Sequence, residues 1–285
     1  MNSAEVFGTE KHIHLTRRKK TIFYVVAICI LLSAILIYGS FINESMLSTN
    51  FSEKNMSPSL KHLFGTDWLG RDMFIRTIKG LSISLFTGIL ASAFSTVISV
   101  VLGICAATLG KFADDCIEWL IDYFMGIPHL ILLMLICILL GKGVKGVVIG
   151  VAITHWPSLC RVIRAEVMQL RETQYVKLSY KFGRGKIWVA INHLIPHLLP
   201  QFIVGLILLF PHAILHEASI TFLGFGLSPH EPAVGIILSE SMKYLSSGQW
   251  WLAFFPGLSL LVLVRLFDIL GENIRSLLDG QSANE

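Results

Sequence analysis

The chain has 285 residues, 54% of them hydrophobic and 15% charged, with mean hydropathy +0.68 and a formal net charge of +4. Soluble domains average about 25% charged residues, so this much apolar surface excludes a single water-soluble core and points to helices that face lipid. There is no basic stripe interleaved with aromatics, which argues against a nucleic-acid partner. The five cysteines are scattered and contain no C-x-x-C pair, so they read as small buried hydrophobes rather than a disulfide framework.

Residues 1–20 form a basic N-terminal segment ending in Arg17, Arg18, Lys19 and Lys20, followed by an apolar run over 21–42. The run exceeds the roughly 7–15 residues of a signal-peptide core and is read as an uncleaved first transmembrane helix. A spanning helix needs about 20 mostly apolar residues. Five further stretches qualify, at about 82–110, 117–140, 144–161, 198–216 and 251–270. The fold class expected is therefore an all-α membrane protein with six transmembrane helices. The organisation expected is an external segment over 43–81, then a core over 82–285 that contains a coupling loop at 161–197 and a short tail.

Lys and Arg placement sets the expected orientation. Six spans put the N-terminus, the 2–3 loop, the 4–5 loop and the C-terminus on one side, which holds 15 of these residues against 8 on the other. That side is expected to be cytoplasmic, with the chain a multi-pass protein of the cell membrane and both termini inside.

The 4–5 loop carries the functional argument. Gly183 suits the left-handed position after a helix ending near Phe182. A second short helix is expected from Lys186 to just before Pro196, because proline disfavours helical geometry in its predecessor. Tyr175, Leu178, Phe182, Ile187 and Trp188 give this hairpin apolar and aromatic surface among cationic groups. Such an element suits docking into a groove on a soluble partner, or lying on anionic lipid, and the residues alone leave both readings open.

The loop resembles the EAA loop of ABC importer permeases, with Gly183 at the glycine position and Leu194-Ile195-Pro196 at the final element. Lys177, Leu178 and Ser179 stand where that family has Glu-Ala-Ala. Between the first two spans, Gly65-Thr66-Asp67-Trp68-Leu69-Gly70-Arg71-Asp72 is similar to the G-T-D-x-x-G-R-D element of the second permease in dipeptide, oligopeptide and nickel importers. Glu217 to Gly226 and Trp250 to Gly257 are similar to two more elements of that family, although Val234-Gly235 stands where it often has Trp-Gly. The resemblance implies a type I ABC importer permease fold, a second homologous permease subunit, two cytoplasmic ATPase subunits on the 4–5 loop and an extracytoplasmic solute-binding protein. The cargo it implies is peptide-like, nickel or a metal chelate.

The residues fit that division of labour. There is no G-x-x-x-x-G-K-[ST] phosphate loop, so the chain is expected not to be an enzyme and to bind no cofactor, with ATP and Mg²⁺ held by the partner subunits. Asp67 with Arg71 or Asp72 is expected to hold a tight external turn, or to meet the binding protein or substrate. Ionisable groups within spans are functional candidates. Asp122 lies near one end of the third span. His129 and His155 lie deeper and are expected to make hydrogen bonds between helices. His212 and His216, four apart on one helix face beside Glu217, are candidate metal ligands, since imidazole suits nickel, copper and zinc. Two other classes stay open: an ion-coupled secondary transporter, which calls for broken helices and buried charge near the midplane, and a non-transporting membrane scaffold.

Overall fold

The structure is a computed structural model that describes residues 3–278, with side chains described from Arg18 onward. The last residues of the tail, and the side chains of Lys11 and Arg17 counted in the charge balance, lie outside the described residues. The chain runs through α1 (Ser3–Phe41), α2 (Met73–Leu109), α3 (Lys111–Gly126), α4 (His129–Leu140), α5 (Val144–Arg171), α6 (Gln174–Lys181), α7 (Lys186–Val189), α8 (Ile195–Phe222), α9 (Val234–Ser241) and α10 (Trp251–Leu278). Among the described residues the only extended pairing is the isolated bridge between Thr66 and Asp72.

Among the described residues, five helical stretches are long and apolar enough to cross a membrane: Arg18–Phe41, Met73–Leu109, Val144–Arg171, Lys186–Phe222 and Trp251–Leu278. The sixth expected span, 117–140, is not one helix. It is α3 and α4, bent by 96° at Ile127-Pro128. Pro128 has no N–H and restricts Ile127 to extended geometry, and Ile127 adopts φ −90°, ψ 134°. Counted together, the pair brings the number of spans to six.

Two other expected boundaries move. The second span starts at Met73 rather than 82, because Asp72 caps it by accepting bonds from Phe74 and Ile75 N–H at 2.8 and 3.1 Å. The expected coupling loop at 161–197 shrinks to 172–185: α5 continues to Arg171, and α7 runs on into α8. Pro196 does not stop that helix, because residues Ala190–Leu194 form a π turn in which Ile195 N–H reaches back to Ala190 O. Pro196 then occupies the first turn of α8, where a missing N–H costs little.

The core is built on α2, which packs along α5 and α8. Its inner face is small and polar: Ser84, Thr87, Ser95, Thr96 and Ser99 are all buried. Small residues let helix backbones approach closely in lipid; a Cβ on Gly103 would lie 2.7 Å from Ile163. Ser99 Oγ donates to Trp156 O at 2.9 Å and ties α2 to α5. One apolar cluster joins α1, α2, α8 and α10 around Phe210, stacked on Phe267 with centroids 3.5 Å apart. The outward faces carry Phe23, Phe86, Phe112 and Leu139, all exposed, as a lipid-facing surface requires. Cys29 and Cys116 are also on that surface, against the expectation of burial, while Cys137 and Cys160 are buried.

Candidate functional site

Three regions hold the candidate residues, and α2 connects two of them. Its 37 residues separate an ion-paired element at Met73 from a helical hairpin near Leu109 by about 55 Å.

The first region is the segment before α2. Asp67 is fully buried and its carboxylate organises the turn. It accepts from Leu69 and Arg71 N–H at 2.8 and 2.9 Å, from Arg71 Nε at 2.6 Å and from Arg76 at 3.3 Å. Arg76 also pairs with Glu240 after α9 begins, locking the segment to the last third of the chain. Asp72 uses one oxygen to cap α2 and the other to hold His62 Nδ1 at 2.7 Å. Thr66 Oγ1 donates to Glu53 O at 2.5 Å and accepts from Met56 N–H at 2.9 Å. Gly70 sits at φ +74°, and a Cβ there would lie 1.7 Å from Asn50 O. Gly65 sits at φ +71°. The candidates Gly65, Thr66, Asp67, Gly70, Arg71 and Asp72 thus form one closed turn. The polar groups of Thr66 and Asp67 are consumed inside it, which leaves them out of reach of an external solute.

Outside the spans, the Lys61 ammonium, hydrogen-bonded to Glu53, holds that carboxyl below its ordinary value. Sequence reasoning missed Arg76 and Glu240. A lone arginine near the start of an apolar run was the available signal.

The second region is the hairpin of α6 and α7. Gly183, at φ +76°, closes α6 in a Schellman arrangement. Its N–H donates to Tyr180 O at 3.0 Å, and Arg184 N–H donates to Ser179 O at 3.1 Å. Val176 and Val189 are fully buried and face inward onto Val167, Leu170 and Leu198. The other face is bare: Phe182 is 79% exposed and Ile187 75%, with Tyr175 and Leu178 also exposed. Arg184 lies over the Trp188 ring at 4.5 Å. Lys177 pairs with Glu172 at 2.7 Å. Ser179 Oγ meets His193 Nε2 at 2.9 Å, pinning α6 to the π turn before Ile195 and Pro196. His193 was not singled out from the sequence, since nothing there indicates that the chain folds back on Ser179.

The third region is a cavity of about 310 Å³ beside the bend between α3 and α4. His129, His155, His212 and His216 line it together with Thr154, Ser158 and apolar groups of α3, α5 and α8. His129, His155 and His216 lie ring against ring, with centroids 4.4 to 5.0 Å apart. The expected hydrogen bonds between helices are not what holds them. His155 Nδ1 donates within α5 to Val151 O at 3.0 Å, and neither nitrogen of His129 has a hydrogen-bond partner. The expected pair His212 and His216 is also recast: the three rings whose ligand atoms lie within 4.8 Å of one another are His129, His155 and His216. His212 is exposed at the rim.

The remaining two candidates lie elsewhere. Asp122 is exposed and ion-paired with Arg161 at 2.5 Å. Glu217 is fully buried against α2 beside Ser84, and it accepts from Thr221 Oγ1 at 2.9 Å.

Comparison with known proteins places this architecture. Residues 99–279 match the family described as "Binding-protein-dependent transport system inner membrane component". The dipeptide transport system permease protein DppC of Bacillus subtilis is 31% identical over 253 residues, covering 88% of this chain and 79% of that one. DppC of Alkalihalophilus pseudofirmus is 32% identical over 264 residues, covering 92% and 86%. A putative peptide transport system permease of Brucella suis is 30% identical over 265 residues, covering 93% and 89%. Among solved structures, the MetNI methionine ABC transporter in its inward-facing form matches with TM-score 0.59 at 17% identity, over 72% of this chain and 97% of that one, so the fold is that of a type I ABC importer permease. With more than half its length inside the matched region and relatives above 30% identity along nearly all of it, the chain belongs to the binding-protein-dependent transport system inner membrane components, as an ABC importer permease of the peptide-transport group.

Proposed function

We propose that this chain is the pathway-forming half of an importer for a small peptide-like solute, driven by ATPase subunits that dock on the α6–α7 hairpin. The observation that carries the reading is the two-sidedness of that hairpin. Its inner face is anchored by Val176 and Val189, while Phe182 and Ile187 stand bare beside Arg184 and Lys177. Exposed aromatic and aliphatic groups on a rigid, anchored element are what a groove on a partner requires. The direct continuity of α7 with α8 then gives a push on the hairpin a mechanical route into the membrane. ATP binding by the partners would bias the pathway between inward- and outward-facing states, as a shift between populations.

The peptide cargo is supported by the names of the relatives, which are dipeptide and peptide transport permeases. A metal-related cargo, nickel or a metal chelate, is a second reading favoured by one observation, the histidine cluster. A second permease, two cytoplasmic ATPases and a binding protein complete the assembly, and the excess of Lys and Arg on the hairpin's side supports placing it in the cytoplasm.

The test is reconstitution of the chain with its partner permease, ATPases and binding protein in liposomes, followed by uptake of labelled dipeptides. Uptake that depends on ATP and is abolished by Gly183→Val supports the reading. Uptake that follows a proton gradient, without ATP, would return the chain to the ion-coupled class. Normal uptake by Gly183→Val would remove the hairpin from the coupling path.

A further inference from the structure

Three imidazoles from three helices converge at the bend of the broken span. His129 opens α4, His155 lies midway along α5 and His216 lies on α8. One ligand atom from each falls within 4.8 Å of the other two. Packing alone does not account for this. Buried polar nitrogens are normally hydrogen-bonded, yet both nitrogens of His129 and Nε2 of His155 are buried without a partner. His155 is also set up as a ligand. Val151 O can only accept, so the proton sits on Nδ1 and Nε2 keeps a free lone pair. A backbone carbonyl fixing one ring nitrogen while the other faces a metal is the usual outer-shell arrangement for histidine ligands.

We propose that His129, His155 and His216, with His212 at the rim, form a coordination site for a divalent transition-metal ion in transit. The inference rests on the chain's role as the pathway-forming subunit and takes the metal-related cargo of the second reading in place of a peptide. An all-imidazole donor set suits Ni²⁺, Co²⁺, Cu²⁺ and Zn²⁺ and disfavours Mg²⁺ and Ca²⁺, which require oxygen ligands. Metal–nitrogen bonds are about 2.0–2.1 Å, so ring rotations that shift a nitrogen by about an ångström bring the three onto one ion. Three ligands from one side leave positions open for groups the ion brings with it. No carboxylate lines the cavity, so the ion's charge is best balanced by such groups. A small anionic chelate and the bare ion share the imidazole-accepting chemistry, and the chelate is the better neutralised.

The assembled importer in nanodiscs, titrated with Co²⁺ and read by visible d–d absorption, tests the proposal. The expected result is one Co²⁺ per copy of this chain, displaced by Zn²⁺ but not by a thousandfold excess of Mg²⁺. Affinity should fall at least tenfold in His129→Gln and His216→Gln and stay unchanged in His230→Gln, an exposed histidine outside the cavity lining. Displacement by Mg²⁺, or equal binding by wild type and the His129→Gln/His216→Gln double variant, overturns the site. The Mg²⁺ competition uses wild type only and so does not depend on the variants folding. In liposomes, uptake of Co²⁺ added with nitrilotriacetate, compared with Co²⁺ added alone, separates chelate from bare ion, and uptake of neither overturns the transit role. Failure to bind Co²⁺ by a complex that still couples ATP hydrolysis through the hairpin removes this inference alone. Co²⁺ binding by a chain that recruits no ATPase removes the importer reading alone.

Discussion

Asp67 is the residue on which the segment before α2 depends. It is fully buried, and Arg71 and Arg76 both lean on it. Removing one partner of a buried ion pair leaves the other charge uncompensated, which costs about 3–5 kcal/mol. Asp67→Ala is therefore expected to lower thermal stability in detergent sharply, while Lys54→Ala, on an exposed side chain, is expected to leave it nearly unchanged. Gly183 is sensitive for another reason. No atom stands within 4 Å of where its Cβ would be, but its φ of +76° is left-handed. That conformation costs an ordinary residue about 1–2 kcal/mol, so Gly183→Val should misdirect the hairpin while membrane insertion, read by protease protection, stays normal. Glu53 supplies a pH dependence. Its folded value lies below its unfolded one, so its pairing with Lys61 stabilises the segment at neutral pH and is lost as pH falls through the folded value. Thermal melts of wild type and Glu53→Gln should differ at pH 7 and converge in acid, below the ordinary carboxylate range.

At the scale of elements, the hairpin and the π turn form one device. His193 bonds Ser179 and lies edge-on to Tyr175 and Trp188, with centroids 5.6 and 5.3 Å away. His193→Ala is expected to release α6 from the π turn and speed amide exchange across Gln174–Lys181, with α8 beyond its first turns unaffected. The helices that were legible in sequence are those whose apolar runs are long and whose caps are local: the first span, α10 and the Gly183 stop all follow from nearby residues. The start of α2 was not legible, because Arg76 and Lys79 make its first turns look like loop. Arg76 is neutralised by Asp67 and Glu240, and Lys79 Nζ reaches Gly39 O at 2.8 Å, contacts that only the tertiary fold supplies. The 96° bend was not legible: 117–140 reads as one apolar span, a proline within it implies only a modest kink, and the sharp turn also uses extended geometry at Ile127. The continuation of the helix through Pro196 was hidden because a π turn has no sequence signature as strong as the proline it accommodates.

Across the whole molecule, α2 links an ion-paired element at one end to a bare apolar hairpin at the other, and the histidine cavity lies to its side where the bent span meets α5 and α8. Each histidine of the cavity stood out in the sequence as a polar group in an apolar run. Their grouping did not, since helical spacing pairs His212 with His216 whereas packing selects His129, His155 and His216. Whether the hairpin receives force from a separate ATPase is decided by cross-linking, with Phe182→Cys placed in a background lacking the native cysteines and assembled with the ATPase subunits in inverted membrane vesicles. The expected result is a cross-link from position 182 to the ATPase that changes in yield when ATP is added. Labelling of that cysteine only by an impermeant reagent applied to the outside of intact cells, with no cross-link to the ATPase, would contradict it.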